Sequence, residues 1–261
     1  MRPPCEVSIK SVANASRLTS SMKHKMLCQI IGNTIICATL FRHQHKETHM
    51  YCPATFAETD PETLQRLIEK HPLGLLITSG ASGLLVSPLP FLFSENEQGA
   101  RLVAHIAKAN PHWRDLAGVK ECLVVFQGAE NYVSPSWYPS KAITHKVVPT
   151  WNYEMVQVKG KPKIFDSAEW LSQQVANITN HFEKERKVPW KPTDAPPDFI
   201  DSQLKAIVGI EIEISEIKGK WKMSQNRSPE DAAGVASGLA DTTDPHADPT
   251  VAAIVASRIK T

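Results

Sequence analysis

The residues of this chain that could do chemistry lie in four dense polar–aromatic blocks. The first is His105-Ile-Ala-Lys108-Ala-Asn110-Pro111-His112-Trp113-Arg114. It leaves a strand and enters a short helix near Pro111. Such a junction gathers free backbone N–H groups, and Lys108, Asn110 and Arg114 add further donors. An anionic phosphate needs that set. The same block also reads as solvated bases beside histidines that cap backbone carbonyls. Gln127-Gly128 with Tyr132–Tyr138 forms the second block, and Pro149-Thr150-Trp151-Asn152-Tyr153 the third. Both set aromatic rings beside hydroxyls and amides, which is how a planar ligand is held by its faces and its polar edge. Core packing or a subunit interface is the competing use of those rings. The fourth block, Gly219-Lys-Trp221-Lys222-Met-Ser224-Gln225-Asn226-Arg227, places long donors at a strand exit, where a basic surface loop would look the same.

Familiar catalytic signatures are absent from the sequence. There is no G-x-G-x-x-G, phosphate-binding P-loop, G-x-S-x-G or H-E-x-x-H. Gly80-Ala81-Ser82-Gly83 reads as a hairpin turn. The five cysteines form no C-x-x-C and no zinc spacing, which argues for a reducing, cytoplasmic setting and against a metal site.

The elements that must position these blocks are mainly β. Asp60-Pro61 opens a helix carrying Leu64, Leu67 and Ile68 on one face, with Thr59 and Glu62 as a rival capping box. Strand-like runs follow at Leu73–Thr78, Leu84–Phe93, Leu102–Ile106, Cys122–Phe126 and Trp151–Val158. Ile210, Ile212 and Ile214 then alternate with glutamates. Many strands with few helices between them predict an antiparallel barrel or sandwich. One amphipathic helix, about Ser167–Lys187, puts Leu171, Val175, Ile178 and Phe182 on a shared face. A proline-rich connector follows, then short helices at about 198–205 and around Val235 and Leu239. Residues 241–261 read as a loose tail.

Length and charge set the frame. The 261 residues, 42% hydrophobic and 21% charged, suit a globular domain and contain no apolar run long enough for a membrane helix. The net charge of +2 averages two compositions. Residues 1–49 carry seven Lys/Arg and two Asp/Glu, whereas residues 50–261 carry 22 and 25. Three cysteines and one of the 18 aromatics fall in the first segment. The composition break at Met50 predicts a disordered or mis-started extension over 1–49 ahead of a folded domain over 50–240. The acidic body weakens any case for broad nucleic-acid contact.

The ordered segments HIAKANPHW, FQGAENYVSPSWY, VPTWNY and IVGIEIEISEIKGKWKMSQN resemble the PaiB family of flavin-binding proteins, and the likeness runs from Met50 to about Leu239. The resemblance implies an FMN-binding split β-barrel with flanking helices, assembled as a homodimer with flavin at the subunit interface. It implies a phosphate near His105, Lys108 and Asn110, a flavin edge near Trp221, Lys222 and Gln225, and lining by Ser87 and Trp151. Ala129-Glu130-Asn131 departs from the family's usual His-Ala pair at the rim. Family members are described as negative transcriptional regulators, so a regulatory FMN protein is the leading reading. A flavin-dependent oxidoreductase using FMN and NAD(P)H is the alternative. A haem-binding or haem-degrading barrel is a third, with His105, His112, His145 and His181 as its candidate ligands. No recognition motif supports direct DNA contact, because the helix at 167–187 runs into prolines and not into a tight turn and second helix.

Overall fold

The computed structural model describes residues 26–31, 34–39, 50–97 and 99–259. They fall in two units, divided between His49 and Met50. In the first unit, β1 (Met26–Ile31) and β2 (Thr34–Thr39) form an antiparallel hairpin. The rest of the predicted extension lies outside the described residues.

The second unit starts with β3 (Ala57–Glu58) and α1 (Pro61–Lys70), then runs through β4 (Leu73–Gly80), β5 (Gly83–Pro90), β6 (Leu92–Asn96) and β7 (Gly99–Ala107). Next come α2 (His112–Leu116), β8 (Cys122–Val133), α3 (Lys141–Thr144) and β9 (Thr150–Phe165). The chain continues through α4 (Ala168–Glu183), α5 (Pro197–Lys205), β10 (Ile207–Lys222), α6 (Pro229–Ala240) and α7 (Pro249–Ser257). Among the described residues no helix is long and apolar enough to cross a membrane.

The sheet is antiparallel throughout, in the order β5-β4-β8-β9-β10-β7-β6, with β3 added on β10. β5 lies close to β7, but no hydrogen-bonded ladder joins them. The barrel is therefore split, as the resemblance implies. Its core follows from strand alternation: Leu102, Ala104 and Ile106, then Val124 and Phe126, Val156 and Val158, and Val208, Ile210 and Ile212 are all buried. Two strands of 16 residues, β9 and β10, form the middle of the sheet. These are far longer than their sequence runs suggest, because the charged stretches beyond each apolar run still pair. Bulges between Gln127 and Glu130 and between Ile214 and Glu216 reset the register.

Helix starts are dictated locally. Asp60 accepts from Thr63 N at 2.9 Å, which favours the Asp60 cap over its Thr59 rival. Ser167 caps α4 by accepting from Trp170 N. α4 packs against β7 and β10 through buried Leu171, Gln174 and Ile178, whereas Phe182 of the predicted face is exposed. Gly209 makes that packing close, since a Cβ there would lie 2.0 Å from the Trp170 ring. Phe165 stacks on the same ring, with centroids 4.5 Å apart.

The C-terminus corrects an expectation. Residues 241–259 of the predicted loose tail are ordered instead: Asp248 caps α7 by accepting from Thr250 N and Val251 N, and Pro249 occupies its first position. Val251, Ala252 and Val255 are buried in the core with Val235 and Leu239 of α6. The polar stretch before Asp248 is the loop of a helical hairpin, and Trp137 holds it by donating Nε1–H to Asp244 Oδ2 at 3.1 Å. A chain ending at Ala247 loses two fully buried valines. It should unfold about 3–6 kcal/mol more easily in urea than the full chain; an unchanged midpoint would refute the packing role of α7.

Candidate functional site

Along β10, residues 220 and 222 share one face of the pleat and residue 221 takes the other. Trp221 is 3% exposed and belongs to the core, whereas Trp151 on β9 is 53% exposed. Lys222 is half-buried on the outer face, in register with Tyr153 of β9. The predicted pairing of Trp221 with Lys222 is therefore divided between inside and outside.

Outside lies a groove of about 390 Å³, lined by Tyr51, Phe56, Trp151, Tyr153, Lys220 and Lys222 together with Pro53 and Thr150. Tyr132 braces Trp151 edge-on, with ring centroids 6.2 Å apart. Lys220 Nζ stands 5.5 Å from the Tyr51 ring centroid and 5.4 Å from that of Tyr153, and it donates to Tyr51 O at 3.0 Å. Lys222 Nζ donates to Thr150 Oγ1 at 2.6 Å and to Trp151 O. Burial lowers the Lys222 ammonium pKa, and nearby Arg227 and Lys220 push it down further. Among the described residues no carboxylate lines the groove to pair with its two ammonium groups. Aromatic walls with unneutralised donors suit a planar anion.

The other predicted residues assemble elsewhere. Ser87 and Asn110 meet at His112, a residue the sequence offered as a backbone-capping histidine or a haem ligand. Buried His112 bonds Thr78 Oγ1 through Nε2 and Ser87 Oγ through Nδ1, each at 2.8 Å. Asn110 Nδ2 donates to Ser87 Oγ at 3.2 Å, and Asn110 Oδ1 accepts from His112 N at 3.0 Å. This hub ties α2 to β4 and β5. With both ring nitrogens engaged, His112 has no lone pair to offer an iron. His105 Nδ1 bonds Gln174 Oε1 of α4 at 2.9 Å, and Lys108 Nζ pairs with Asp166 at 2.6 Å. The predicted phosphate residues of the first block thus make three separate contacts within the chain. Gln225 closes the turn after β10: its Nε2 donates to Trp221 O and its Oε1 accepts from Met223 N.

Of the second block, Trp137 packs on α6, where a Cβ at Gly238 would lie 2.4 Å from its ring. Tyr138 is buried beneath the Arg227 guanidinium. In the third block, Asn152 is buried against Ser224, with Nδ2 donating to Oγ at 3.1 Å. Tyr51 lies outside the four blocks and was missed, whereas Tyr153 and Lys220 lay within them without being singled out for the cofactor. The spacing of Lys220 and Lys222 on one strand face was the available signal.

The family model described as "Putative FMN-binding domain" matches residues 50–216. The chain belongs to this family. It is similar to the Protease synthase and sporulation protein PAI 2 of Bacillus subtilis, 31% identical over 198 residues, covering 76% of this chain and 93% of the relative. An uncharacterized protein of Saccharomyces cerevisiae is 38% identical over 157 residues, covering 52% and 92%. Among solved structures, the FAD and heme binding protein from Mycobacterium smegmatis is similar with a TM-score of 0.48 at 16% identity, over 64% of this chain and 73% of that one. The family description makes flavin the ligand class of this domain.

The His112 hub gives a pH prediction. Burial lowers the His112 pKa, with Asp115 pulling the other way. The unfolded chain then binds this proton more readily than the folded one. The hub's contribution is complete above about pH 6.5 and declines as pH falls from there toward the lowered folded value. Urea midpoints between about pH 7.5 and 5.5 should fall less steeply in His112→Gln than in the native chain. Equal slopes would refute the assignment.

Proposed function

We propose that this protein is an FMN-binding homodimer that acts as a cytoplasmic negative regulator of transcription and not as a robust enzyme. The observation that carries the flavin assignment is the outer groove, where Trp151, Tyr51 and Tyr153 supply ring faces and Lys220 and Lys222 supply uncompensated positive charge. Its volume lies within the range of cofactor clefts. In this reading Trp151 and Lys222 hold the ring and its electron-rich edge, and Lys220 draws the phosphate. Trp221 and Gln225 back the groove from the barrel side, while Ser87 and Asn110 tie α2 to β5, and His105 and Lys108 anchor α4 and its approach.

Bound flavin would supply redox chemistry. Among the described residues no imidazole or carboxylate lines the groove, so proton transfer at a bound flavin would fall to Lys220, Lys222 or a tyrosine. The oxidoreductase alternative keeps the same groove and requires a reductant to reach it.

A face of the β4–β5 hairpin supports the homodimer. Leu73, Leu75, Leu84 and Val86 are 65%, 42%, 77% and 58% exposed. The register sets Ile77 opposite Val86 and Ser79 opposite Leu84, so these side chains share the face turned away from buried Leu76, Thr78, Ser87 and Leu89. A continuous apolar sheet face of this kind marks an interaction surface. A second copy would cover it by the same residues on both sides.

Three experiments test this reading. Titrating FMN into the purified chain should produce a shifted, saturable visible spectrum. Lys222→Ala should weaken binding about tenfold to hundredfold through loss of a charged hydrogen bond, with the fold checked by circular dichroism. Unchanged affinity would sink the groove assignment, and rapid bleaching by NAD(P)H would shift the case to the oxidoreductase. Genes derepressed on loss of the chain should be silenced again by the native form and not by Lys222→Ala. Sedimentation should show a dimer that Leu84→Lys with Val86→Lys converts to a monomer; a native monomer would refute the interface.

A further inference from the structure

A second cavity, of about 180 Å³, lies where the end of β10 meets α6 and α7. Met223, Ala232, Val255 and Ile259 give it apolar walls, and the side chains of Arg227 and Arg258 line it as well. Ser224 and Gln225 also border it, but their polar atoms are engaged with Asn152 and with the backbone of Trp221 and Met223. The two guanidiniums are therefore the donors left for an occupant.

Their charges are not equally free. Arg258 is bound to Glu58 at 2.5 Å and stands 5.7 Å from the centroid of Trp221. Arg227 lies 4.7 Å from the centroid of Tyr138, and no carboxylate among the described residues pairs with it. Counting Glu58, the polar end carries a single net positive charge. It calls for one negative charge, and the opposite wall calls for hydrocarbon. A free phosphate would leave oxygens against Met223 and Val255 with nothing to bond, which is unfavourable. The volume equals that of about six waters, which limits the ligand to a few heavy atoms.

We propose that this cavity binds a small monocarboxylate with a short aliphatic body, its carboxylate between Arg227 and Arg258 and its chain against Met223, Ala232 and Val255. The site is separate from the outer groove and independent of the flavin assignment. Nothing in it supplies a nucleophile or a base, so its role is binding. Its position joins the C-terminal helical hairpin to the end of β10, where Met223 directly follows Lys222 of the groove.

The test uses the full chain and sodium butanoate, with butanol and sodium phosphate at matched ionic strength as controls. Butanoate should bind saturably by calorimetry and raise the unfolding midpoint by about 3 °C at about ten times its dissociation constant. The two controls should not. Arg227→Gln should weaken butanoate binding about tenfold or more, and Ala232→Leu, which fills the cavity and keeps both arginines, should abolish it. Absence of saturable binding to the native chain would overturn the proposal. So would a response in Ala232→Leu equal to the native one, and a response to phosphate matching that to butanoate would overturn the monocarboxylate assignment.

Discussion

Strand β10 is hydrogen-bonded to β9 along one edge and to β7 and β3 along the other. A strand held on both edges cannot roll, so its pleat decides which side chains enter the barrel and which face out. Ile210 and Ile212 fill the core near its start, and Trp221 and Met223 fill it at the far end. Lys220 and Lys222 are forced onto the outer face beside Tyr153. The core and the candidate groove are thus two sides of one strand. The change of phase between Ile212 and Trp221 is made by the bulge between Ile214 and Glu216. Without that extra residue, alternation from Ile212 would put Lys220 and Lys222 inside the barrel.

The helices act as supports for that strand. α4 sits over Gly209 with Trp170, and α6 and α7 close the end that Met223 reaches. The second aromatic block, which composition alone offers as a ligand platform, is used here to seat α6 through Trp137 and Tyr138. Aromatic residues in a small barrel are drawn first to packing, because each buries a large apolar area. The rings left exposed at the groove, Tyr51 and Trp151, are informative for that reason.

Polar residues follow the same logic. Buried donors and acceptors must be satisfied, so Asn110, Ser87 and Thr78 gather around His112, Gln225 closes on its own turn, and Asn152 pairs with Ser224. Three of the eight residues chosen from sequence as cofactor contacts are consumed in this way. Lys222 is different: it donates to Thr150 and to a carbonyl, but no opposite charge lines its groove. Local bonding leaves a net positive charge that a ligand could meet.

The sequence by itself determined much of the fold. Apolar alternation at Leu102–Ile106, Cys122–Phe126 and Ile210–Ile214 marked the strands, and Asp60-Pro61 marked a helix start with the correct cap. The order of the four blocks carried the family. Asp248-Pro249 offered the same start signal for α7, but the polar residues before it hid the Val251–Val255 stripe. Only the tertiary structure decided the site. Tyr51, Trp151 and Lys222 come from three distant segments, and their meeting depends on strand register, two bulges and the direction of each pleat. Periodicity reports which residues share a face of one element; it does not report which faces of different elements come together.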